Sequence, residues 1–188
     1  MYPIQMQEGS RGIGMGYTQF IEKFTKICRR YLSEGRARAF AFVFYDMGNS
    51  VVRRALSEAQ GFQLLHERTG KDITLFYLHD SAVSAHWQNF NKEFMAALGV
   101  QNQAEPPCMV FFRVRGEQIE DVSIYNIDEQ TQDPVLVTAE LVQYVDDAIR
   151  KMNAEGNFSV LTDFSKAVAP ISALFKVGEF LSRLKGVA

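Results

Sequence analysis

The stretch Pro106-Pro107-Cys108-Met109-Val110-Phe111-Phe112-Arg113-Val114-Arg115-Gly116-Glu117 constrains the fold more than any other part of the chain. Consecutive prolines exclude a helix interior, because each lacks a backbone N–H and its ring clashes with the preceding turn. Proline is also the residue before which a cis peptide bond forms readily. An apolar run follows at once and stops at Arg115-Gly116. The pair therefore reads as the entry to a buried strand, and the glycine as a tight turn. Gln118 to Ile127 supplies the second arm of an antiparallel hairpin.

The flanking sequence divides into alternating helical and extended patterns. Phe20, Phe24, Ile27, Cys28, Tyr31 and Leu32 recur at three- and four-residue steps and predict a helix over Tyr17–Glu34. Cys28 lies on its apolar face and reads as a small core residue. Ala39 to Tyr45 is a short aromatic run, expected to be a buried strand that stops at Asp46-Met47-Gly48-Asn49. Helical spacing returns over Ser50–Glu67, with Ser50 as a candidate cap and Gly61 as a point where the helix would bend. A strand over Ile73–Leu78, a helix over Ser84–Leu98 closed by Gly99, and a helix over Val135–Met152 introduced by Asp133-Pro134 complete this part. Beyond it, Phe158 to Leu184 carries apolar residues at helical spacing, with Pro170 implying a kink or two short helices. The organisation expected is a flexible arm or edge strand over 1–16, one α/β domain over 17–152, and an amphipathic helical extension over 153–188.

Several function classes lose support. The formal net charge of −2 gives no electrostatic case for nucleic acid. Charge is nonetheless unevenly placed: the net is +6 over Arg11–Arg54 and −8 over Glu117–Glu155. That pattern describes either two solvated faces of opposite sign or a polarised surface that steers a charged partner. Cys28 and Cys108 are far apart and form no C-x-x-C, which argues against a disulfide scaffold and a cysteine-rich zinc site. Gly12-Ile13-Gly14-Met15-Gly16 lacks the spacing of a phosphate loop and the Gly-Lys-Ser/Thr that would complete one. His66, His79 and His86 fit no metal-ligand spacing, and no G-x-S-x-G elbow surrounds Ser50, Ser81 or Ser84. No metal and no cofactor are expected. The N-terminus lacks a secretory pattern and no window matches a membrane span, so the expectation is a soluble, cytoplasmic protein.

Residues 17–152 run helix, strand, helix, strand, helix, proline, strand, strand, helix. This order resembles the thioredoxin-like superfamily, whose usual first strand would have to lie within residues 1–16 or be absent here. Phe42-Val43-Phe44-Tyr45 is similar to the family's central strand leading into the active-site loop. Pro107 is placed like its cis-proline, and Arg113-Val114-Arg115-Gly116-Glu117 is similar to its charged Gly-Glu hairpin turn. The resemblance implies a mixed sheet flanked by helices, with a C-terminal helical extension added. It also implies a C-x-x-C box after the central strand, where this chain has Met47-Gly48-Asn49-Ser50. Disulfide exchange needs one thiolate to attack and a second thiol to resolve the mixed disulfide, and neither Met47 nor Ser50 supplies one.

The expected function is therefore a non-catalytic, redox-inactive protein–protein interaction subunit: an adaptor, assembly component or inhibitor. Its degenerate active-site loop would be Asp46, Met47, Gly48, Asn49 and Ser50, beside the Pro106-Pro107-Cys108 edge. A single-thiol redox protein acting through Cys108 is the alternative. The C-terminal stripe must bury its apolar side somewhere: on its own sheet, on another protein or a second copy of itself, or at a membrane surface, which its few basic residues disfavour. Phe164, Ile171, Phe175, Leu181 and Leu184 are the partner-binding candidates there.

Overall fold

The computed structural model describes residues 2–4, 17–34, 38–45, 49–69, 73–78, 92, 94–128, 130–153, 167–171 and 175–185. The elements are β1 (Tyr2–Ile4), α1 (Tyr17–Ser33), β2 (Arg38–Phe44), α2 (Ser50–Ser57), α3 (Gly61–Thr69) and β3 (Ile73–Leu78), followed by β4 (Cys108–Arg115) and β5 (Gln118–Asn126). After these come α4 (Pro134–Asn153), β6 (Ala167–Ile171), β7 (Phe175–Lys176) and α5 (Val177–Lys185). A further helical turn lies at 94–97.

The protein is mixed α/β. Among the described residues, seven strands form one sheet in the order β1-β3-β2-β4-β5-β6, with β7 also pairing β5. β1 and β2 run parallel to β3, whereas β4 runs antiparallel to both β2 and β5. Tyr2–Ile4 is thus an edge strand. The connection between β4 and β5 is the tight turn at Gly116, whose φ of +59° is a conformation that costs glycine little.

Both faces of the sheet are covered, which explains why its central strands read as unbroken apolar runs rather than alternating ones. Every residue of Ala39–Tyr45 and of Cys108–Val114 is buried. On one face the Phe24 ring of α1 stands edge-on to Phe40, Phe42, Phe76 and Phe112, with centroids 5.3 to 6.2 Å apart. Phe94 closes on Phe42 at 4.4 Å on the same side. On the other side α4 packs along α2 and α3, with the Thr138 hydroxyl donating to the Ala55 carbonyl at 3.0 Å.

Two sequence expectations need correction. The helix expected over Ser50–Glu67 is two helices, separated where Gln60 takes a φ of +57° and Gly61 begins α3. A Cβ at Gly61 would meet the Ala55 carbonyl oxygen, so the chain can turn that closely only with glycine there. The helical pattern expected over Phe158–Leu184, kinked or divided at Pro170, is also corrected in part. Among the described residues of this segment, 167–171 and 175–176 are strands on β5 and Val177–Lys185 is helical, while 158–166 and 172–174 lie outside the described residues. The open side of β5 offers main-chain hydrogen bonds to Ala167-Val168-Ala169-Pro170-Ile171, and an outer strand tolerates a proline that lacks its N–H.

Candidate functional site

The end of the sheet where β2 finishes and β4 begins gathers most of the sequence-predicted site. Phe44 pairs with Cys108, and Cys108 pairs with Asn126 on the other side. Consequently the residue following β2, the entry to β4 and the exit from β5 meet at one end. The Pro106–Pro107 peptide is cis. The Ile127 N–H donates to the Pro107 carbonyl at 2.9 Å, and the Glu105 N–H reaches the Asn126 side-chain oxygen at 3.5 Å. Glu105 and Pro106 are exposed, whereas Pro107 is buried.

The loop after β2 feeds the first turn of α2. Asn49, not Ser50, caps that helix: its side-chain oxygen accepts from the Val52 N–H at 3.0 Å. Asparagine is among the strongest cap residues, and the bond satisfies one donor the first helical turn leaves over. Ser50 is exposed at the first helical position. Asp46, Met47 and Gly48 lie outside the described residues.

Cys108 opens β4 with 0% of its surface exposed. Burial raises its thiol well above the ordinary range, and pushes Cys28 from 9.0 to about 12. A thiol is nucleophilic as its anion, so both sulfurs are shielded and protonated near neutral pH. Both are free cysteines.

The C-terminal residues are distributed differently from the expected stripe. Phe180 is fully buried, with its ring 5.7 Å from Phe24, 5.4 Å from Phe94 and 6.1 Å from Phe112. Leu181 is 9% exposed. The helix therefore buries these two side chains on its own chain. Ile171 is opposite Val122 and Phe175 opposite Ile119 in the sheet, again within the chain. Leu184 lies in α5, and Phe164 lies outside the described residues.

A buried polar set under α4 escaped the sequence reading. The Tyr144 hydroxyl donates to Glu140 at 2.6 Å, and its ring lies against Tyr125. Burial raises the Tyr125 phenol above its ordinary range, with Glu140 and then Asp147 adding to the effect. Asp147 is buried and pairs with Arg150 at 2.8 Å. The only sequence signal was the position of Tyr144 and Asp147 beside the apolar stripe of α4. Among the described residues, no group of three or more His, Cys, Asp or Glu is placed to hold a metal ion, and no helix is long and apolar enough to cross a membrane. No family model, curated protein or solved structure matches the chain.

Proposed function

We propose that the chain is a thioredoxin-like protein that has lost the dithiol chemistry and acts as a non-catalytic protein-binding subunit. Four features support the family reading: the first strand at Tyr2–Ile4, the sheet of parallel and antiparallel strands, the proline pair leading into β4, and the glycine turn after it. One observation carries the loss of chemistry. The loop between β2 and α2 contains no cysteine, and the nearest thiol by strand pairing, Cys108, is wholly buried with its pKa raised. What this end of the sheet offers a partner is surface: exposed Ser50, Glu105 and Pro106 around a hydrogen-bonded strand entry.

The test is capture of binding proteins from an extract of the native host by the immobilised full chain. Replacing both exposed residues, Ser50→Arg with Glu105→Arg, is expected to lower recovery of the bound protein about tenfold, a loss typical of disturbing the centre of an interface. Circular dichroism should be unchanged. Equal recovery by the variant would reject this end of the sheet as the binding surface. A disulfide-reducing activity that disappears in Cys108→Ser would overturn the non-catalytic reading.

A further inference from the structure

We draw no further inference here: the strongest candidate, the buried polar cluster between β5 and α4 where the Ser123 hydroxyl and one Asp147 carboxylate oxygen have no hydrogen-bond partner among the described residues, rests on two carboxylates, Glu140 and Asp147, that Tyr144 and Arg150 already hold, and nothing in the structure brings Ser123 to them or shows what would bind there.

Discussion

Cys28 and Cys108 show how a residue's surroundings decide its chemistry. Both thiols sit in the apolar core, and burial makes the thiolate costly. The consequence for stability has a definite sign. In the unfolded chain a thiol ionises around its ordinary 9.0, whereas folded Cys28 keeps its proton up to about 12. Above 9.0 the unfolded state therefore binds fewer protons than the native one, and stability falls as pH rises. Each such thiol contributes a slope of about 1.4 kcal/mol per pH unit within its window. The urea midpoint should be steady near neutral pH and decline from about pH 9 upward, and the decline should be shallower in a Cys28→Ala, Cys108→Ala chain. Parallel pH profiles for the two proteins would show that the thiols are not buried as described. The same scale explains why Asn49 was legible only as part of a loop. Ser50 and Asn49 are both cap-forming residues, and the choice between them depends on where the backbone enters the helix, which neighbouring residues in sequence do not reveal.

At the level of elements, the junction between α2 and α3 was half visible. Gly61 marks a weak point in a helical pattern, but its spacing does not distinguish a bend from a full stop. The close approach to Ala55 does, since that carbonyl also accepts from Thr138 and cannot retreat without loosening α4. Gly61→Ala should therefore destabilise the protein by about 1–3 kcal/mol through overpacking, despite the better helix propensity of alanine. A urea midpoint equal to or above that of the wild type would contradict the geometry. The C-terminal segment failed in a different way. Short apolar runs fit a helical period and a strand equally well, and Ala167–Ile171 is five residues long. What settles it as a strand is the available side of β5, a neighbour more than forty residues earlier in the chain.

Across the whole molecule, the aromatic core ties the C-terminus to the rest. Phe180 stands edge-on to Phe24 and Phe94, so α5 completes the layer that α1 and residues 94–97 build over the sheet. Phe180→Ala is expected to cost about 3–5 kcal/mol, as truncation of a buried phenylalanine does. Leu136→Ala, at an exposed position, should stay within about 0.5 kcal/mol. A small loss for Phe180→Ala, measured by urea unfolding, would mean that α5 does not dock on this core. Among the described residues, the principal strands and helices from Tyr17 to Asn153 follow from local information: apolar period, proline and glycine placement, and runs too apolar to leave in water; most of the helix expected over Ser84–Leu98 lies outside them. Pairing partners, the split at Gly61, the capping by Asn49 and the recruitment of 167–171 and 175–185 to the sheet and core do not. Those outcomes depend on which surfaces meet after the chain has folded, and hydrogen bonding and packing between residues distant in sequence decide them. The sequence by itself determined an α/β domain with a strand-entry proline pair and no dithiol box. Only the tertiary structure decided that Phe180 and Leu181 are buried on their own chain and that 167–171 pairs with β5, because the uncovered side of β5 and the aromatic face over the sheet exist only once the strands have paired.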